Sequence, residues 1–149
     1  MRKGLSIPLF TLLLHVGLCV NAQKPVFDHA ALYVTDIQKS VAFYTAVIGL
    51  DTIPDPFRDG KHAFLSLGPG RELHLIAGAD SKKEHRMDNH FALRISSVES
   101  FIAQLEKAGI PYVNARGKQY TVTTRPDGVK QIYLQDPDGY WIEINDVKR

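Results

Sequence analysis

Polar and apolar residues alternate in His29-Ala-Ala-Leu-Tyr-Val34, and this period of two predicts a strand. The period then changes. Ile37, Val41, Tyr44 and Ile48 recur at helical spacing, with Thr35 or Asp36 as the cap and Gly49 as the stop. Strands are predicted at Asp51 to Phe57, His62 to Leu67 and Glu72 to Ile76, with turns at Asp59-Gly60 and at Gly68-Pro69-Gly70. A polar linker runs from Asp80 to Asp88, and the order then starts again. His90 to Ile95 reads as a strand, Ser96-Ser-Val-Glu99 as a capping box, and Val98, Phe101, Ile102 and Leu105 as one face of a helix closed by Gly109 and Pro111. Strands follow around Tyr112 to Ala115, Tyr120 to Thr124, Lys130 to Leu134 and Tyr140 to Asn145.

The two halves superpose as strings. His29-Ala-Ala-Leu-Tyr-Val aligns with His90-Phe-Ala-Leu-Arg-Ile, and Gly70-Arg-Glu-Leu-His74-Leu-Ile aligns with Gly139-Tyr-Trp-Ile-Glu143-Ile-Asn. Each half reads β-α-β-β-β. A unit of that size buries too little surface to stand alone, so an α+β fold of two packed βαβββ modules is expected, at about 27–79 and 88–147.

Residues 1–22 carry a different signal. A cationic Met1-Arg2-Lys3 precedes an apolar run from Leu5 to Val20, and Val20-Asn21-Ala22 suits cleavage. This is the pattern of a secretory leader, so export to a periplasm or medium is expected, with residues 23–149 as the mature domain. Cys19 is the sole cysteine and would leave with the leader, so disulfides are excluded from the mature domain. Losing Arg2 and Lys3 from 18 basic residues balances the 16 acidic ones. A neutral domain argues against nucleic acid or, after cleavage, a membrane surface as partner.

Strand parity supplies the candidate chemistry. His29, His74, His90 and Glu143 each lie on the strand face opposite an aliphatic stripe. Imidazole and carboxylate donors on four strands suit one divalent ion: zinc, nickel, cobalt, manganese or iron. Glu72 shares a face with His74 and competes with it for the fourth position, which the glycine-anchored alignment gives to His74. His62, after a turn, and His85, in the linker, read as solvated surface residues.

Four segments carry a family resemblance: DHAALYVTD, SVAFYTAVIGL, NHFALRI and DPDGYWIEIND. With them the chain resembles the vicinal oxygen chelate superfamily over about Phe27 to Asn145. The resemblance implies an incomplete barrel around a divalent metal, with His29, His90 and Glu143 at the usual ligand positions. The position of His74 is often glutamate in glyoxalase-type isomerases, so histidine departs from the pattern and leaves the isomerase base open. Glu143 or Glu72 could move a proton beside a carbonyl. The expected function is a glyoxalase-like lyase or isomerase acting on a small molecule with vicinal oxygens. The alternatives are an extradiol-type dioxygenase and a drug-binding resistance protein. Arg94, Tyr33, Tyr133 and Trp141 are candidates to line the cavity. Edge strands of an open half-sheet need cover, and members of the superfamily commonly pair, so a homodimer is expected.

Overall fold

The computed structural model describes residues 23–148; the leader segment expected at 1–22 lies outside them. The first module contains β1 (His29–Val34), α1 (Ile37–Phe43), β2 (Thr52–Ile53), β3 (His62–Ser66) and β4 (Glu72–Ala77). The second contains β5 (His90–Arg94), α2 (Val98–Lys107), β6 (Thr123–Thr124), β7 (Lys130–Gln135) and β8 (Trp141–Asn145). Their sheets have the orders β1-β4-β3-β2 and β5-β8-β7-β6. In both, the first strand is parallel to the fourth and the remaining pairs are antiparallel. The internal repeat therefore extends to strand pairing, and the two sheets are not closed into a barrel.

The helices form for the local reasons expected. Asp36 is extended and its carboxylate accepts from the Lys39 amide, which caps α1. The helical spacing through Ile48 is met by α1 and a π-type turn over Tyr44–Ile48, which Gly49 ends at φ 85°. The second cap falls one residue later than the capping box predicts: Ser97, not Ser96, accepts from the Ser100 amide. Three strands are shorter than expected. Asp51 to Phe57 yields only Thr52–Ile53, and Tyr120 to Thr124 only Thr123–Thr124. Around Tyr112 to Ala115 there are only isolated bridges at Val113. In the first case Asp55 turns the chain by accepting from the Phe57 and Arg58 amides, an alternative to ladder pairing.

The aliphatic faces meet in one core. Leu32, Val34, Leu65, Leu73 and Leu75 from the first module join Val98, Leu105, Ile132, Leu134, Ile142 and Ile144 from the second. Polar bonds fix the modules to each other. The buried Asp138 accepts from the Thr35 amide and hydroxyl (2.9 and 2.7 Å) and from the Ser40 hydroxyl (3.0 Å). The Tyr44 hydroxyl donates to Asp136 at 2.9 Å. Burial, more than the neighbouring carboxylates, pushes the Tyr44 phenol far above its usual range, which keeps it a donor. The linker is exposed along most of its length but pinned at His85. His85 stacks on Tyr140 at 4.1 Å, and the Trp141 indole donates to the His85 carbonyl. Gly139 lies beneath it at φ 90°, where a Cβ would stand 2.9 Å from the Lys83 carbonyl oxygen. Among the described residues no helix is long and apolar enough to cross a membrane.

Candidate functional site

Both sheets turn their aliphatic sides inward; the opposite face is exposed along β1 and β5, while on β7 and β8 it is closed by the buried Gln131, Tyr133, Glu143 and Asn145. On β1, His29, Ala31 and Tyr33 are exposed while Leu32 and Val34 are buried. On β5, His90, Ala92 and Arg94 are exposed, between the half-buried Phe91 and Leu93. Because β1 and β5 each end a sheet, His29 and His90 sit at open edges, with His74 and Glu143 on the adjoining inner strands.

On the first module, the structure brings His29, His74 and Glu72 together. The rings of His29 and His74 stack at 4.2 Å. His29 Nδ1 lies 2.7 Å from the Asp28 carboxylate, and His74 Nε2 lies 2.8 Å from Glu72 Oε2. On the second module, His90 Nδ1 donates to the Met87 carbonyl at 2.7 Å, and His90 Nε2 lies 3.3 Å from Glu143 Oε2. In each imidazole one nitrogen is held by an oxygen acceptor, which fixes the tautomer and leaves the other nitrogen for a ligand, the arrangement usual for metal-binding histidines. In neutral His90, Nε2 carries a lone pair and faces a carboxylate oxygen. A proton or a shared cation satisfies that meeting of two acceptors.

Glu143 is buried and firmly held. Tyr133 donates to Oε2 at 2.7 Å, Asn145 donates to Oε1 at 2.7 Å, and Gln131 donates to the Tyr133 hydroxyl at 2.8 Å. Burial first, and the bond to Glu143 second, raise the Tyr133 phenol above its ordinary range, so it remains a donor at neutral pH. The four expected ligands thus form two pairs, His29 with His74 and His90 with Glu143. Among the described residues of one chain, no three histidine, cysteine, aspartate or glutamate side chains are placed to hold one metal ion. The donor types fit a divalent ion, but neither sheet places three of them around one point.

The expected lining residues separate. Tyr133 and Trp141 border a cleft of about 200 Å³ with Tyr112 and Val113. Arg94 lines a different cleft, with Leu50 and Leu67 of the first module. Tyr33 is tied down, its hydroxyl donating to the Gly78 carbonyl. The sequence reading missed the far end of the first sheet, where His62 is half-buried and on the open face. Parity shows this, because His62, Phe64 and Ser66 alternate with Ala63 and Leu65, and Phe64 pairs with His74. The Gln131–Tyr133–Glu143–Asn145 chain of bonds was equally legible, since all four residues lie on one face of β7 and β8.

Comparison with known proteins follows this geometry. The family model described as "Glyoxalase/Bleomycin resistance protein/Dioxygenase superfamily" matches residues 26–144. A Bacillus subtilis relative named "Uncharacterized protein YwbC" is 33% identical, the match covering 78% of this chain and 94% of that one. The "Lactoylglutathione lyase" of Salmonella typhimurium is 28% identical, with 80% and 91% covered. The solved fosfomycin resistance protein FosX of Listeria monocytogenes superposes with a TM-score of 0.66 at 22% identity, covering 85% of this chain and 96% of that one, and so shares the fold. With its repeated βαβββ modules and a family match running from the first strand to the last, the chain belongs to the glyoxalase/bleomycin resistance protein/dioxygenase superfamily.

Proposed function

We propose that this protein is a metal-dependent, glyoxalase-like lyase or isomerase acting on a small molecule with two neighbouring oxygens. We also propose that it works as a homodimer in which His29 and His74 of one chain face His90 and Glu143 of the other. One observation carries the reading: each sheet presents a pair of donors held in place by hydrogen bonds, and a divalent ion requires at least three. Pairing would also cover the edges of β1 and β5. The printed name of the Salmonella relative supports lyase chemistry.

When bound, a divalent ion supplies Lewis-acid polarisation of a substrate carbonyl. The protein's own part is to hold and orient. Tyr133 and Asn145 fix both oxygens of Glu143, which suits that carboxylate to be a ligand rather than a proton carrier. Glu72 steadies His74 through Oε2. We extend the proposal to export, with Gln23 as the mature N-terminus.

Mixing two variant chains tests the paired site. His29→Ala and His90→Ala should each lose stoichiometric metal. Co-refolded together, they should regain one intact site per mixed dimer, because one chain supplies His29 and the other His90. If mixing restores no metal, the ligands do not meet across chains. The identity of the metal, with activity on α-ketoaldehyde adducts and catechols, tests the chemistry. Iron with oxygen uptake would replace the isomerase reading by a dioxygenase.

A further inference from the structure

The first sheet carries a row of rings that the ligand pairs do not explain. His74 packs on Phe64 at 4.0 Å, Phe64 on Phe57 at 6.1 Å, and Phe57 on His62 at 4.6 Å. The row runs across the open face from the proposed metal edge to the start of β3. Phe57 stays exposed to solvent although it is a large apolar ring. At the end of the row His62 Nδ1 lies 3.0 Å from both oxygens of Asp59. Asp59 is itself positioned, because it accepts from the Lys61 amide at 2.8 Å. That bond, and then the one to His62, hold its carboxyl below the usual carboxylate range, so it is an anion at neutral pH.

This is the arrangement of an oriented base. A carboxylate accepts the hydrogen bond of Nδ1–H, fixes the tautomer and leaves the Nε2 lone pair free to act, and it balances the charge when the ring becomes protonated. Among the described residues only Nδ1 of His62 is hydrogen-bonded. His62 faces Ile76 across the ladder and His74 faces Phe64, so the two histidines are diagonal neighbours. Such neighbours lie about 7–8 Å apart on one face, a span that a molecule of three or four heavy atoms bridges. The two glutamates are worse placed to carry a proton. Both oxygens of Glu143 already accept hydrogen bonds, and Glu72 is engaged by His74.

We propose that His62, oriented by Asp59, is the proton-transfer residue of this face, and that its substrate class is small α-hydroxycarbonyl compounds. The inference rests on the proposed isomerase reading and deepens it. His62 Nε2 removes the proton from the carbon beside the carbonyl, and the C–H electron pair moves into a carbon–carbon double bond as the carbonyl oxygen becomes an enolate. The proton returns from Nε2 to the former carbonyl carbon while the proton of the substrate hydroxyl passes to the enolate oxygen, so the hydroxyl-bearing carbon becomes the new carbonyl and the step is an isomerisation that needs no oxidant or reductant. Phe57 and Phe64 form the apolar wall beside His62.

Hydroxyacetone in D₂O is the probe, used with metal-loaded mature protein and followed by proton NMR. The wild type should exchange its carbon-bound hydrogens. His62→Gln should slow exchange by at least about 100-fold, the usual contribution of a general base, while keeping full metal content. Asp59→Asn should slow exchange less, and in ¹⁵N NMR it should lose the Nδ1–H preference of the His62 ring, a signature that no merely structural role produces. Three outcomes overturn the proposal: no exchange by metal-loaded wild type, wild-type exchange by His62→Gln, or loss of metal from His62→Gln, which would make His62 a ligand. Failure of the isomerase reading itself is seen separately, as iron with oxygen uptake on a catechol, and failure of its metal site as metal retained at full stoichiometry by both His29→Ala and His90→Ala.

Discussion

The two modules pair the same strands in the same order, yet their open faces are finished differently. The first face is built of rings in contact: His29, His74, Phe64, Phe57 and His62. Its polar atoms are held by carboxylates on the same module: Asp28, Asp59 and Glu72. The second face is built of hydrogen bonds, running from Gln131 through Tyr133 to Glu143 and Asn145. Packed rings tolerate replacement by other apolar groups, whereas a buried chain of bonds fails as a unit when one member is removed. The repeat keeps one scaffold in both modules, and the two faces differ. In the proposed enzyme the second face fixes an anionic ligand, and the first holds the substrate and moves its proton.

The largest effect expected to break this contrast concerns metal. His90→Ala should abolish stoichiometric binding, and Glu143→Gln should do so with milder structural change. His85→Ala should leave metal content intact, because that ring packs on Tyr140 and not on the open face. Elemental analysis after dialysis checks all three, and full occupancy in His90→Ala would remove the metal model. Comparing His74→Ala with Glu72→Ala then sharpens it, since loss of a supporting residue costs roughly 10- to 100-fold in affinity and loss of the ligand should cost more.

A smaller effect is expected where the modules join. Tyr44→Phe strips the buried Asp136 of its side-chain donor and should cost about 1–3 kcal/mol, read from chemical denaturation. An exposed residue such as Tyr120, 59% accessible, should by contrast change stability little when replaced by phenylalanine. Equal losses at the two positions would show that the Asp136 contact does not help hold the modules together.

The smallest effect is one of pH. Burial, the largest influence on Asp136, raises its carboxyl above the ordinary carboxylate value despite the bonds from Tyr44 and Tyr140. A carboxyl raised in the folded state contributes stability below the unfolded value, near pH 4, and loses it as pH rises through the folded value. Against an Asp136→Asn reference, the wild type should therefore gain stability as pH falls towards 4. A difference between the two proteins that stays flat from pH 7 to pH 4 would refute the shift.

Much of this molecule was legible along the chain. The change of period from two to 3.6 marked both helices, and the two aligned strings anticipated the repeat and its pairing, because burial acts on every residue of a strand or helix face. Parity likewise put His29, His74, His90 and Glu143 on open faces. Parity cannot say which open faces meet, and only the tertiary structure separated the four donors into two pairs. It also decided the short β2, where Asp55 accepts from the Phe57 and Arg58 amides, and the pinned linker, where His85 rests on Tyr140. The His62–Asp59 pair belongs to the same class. A histidine after a turn reads as solvated until the fold shows a carboxylate at Nδ1 and an aromatic ring against it. Local pattern fixes the face a side chain occupies, while its partners come from other strands and loops, whose relative placement depends on the packing of the whole chain.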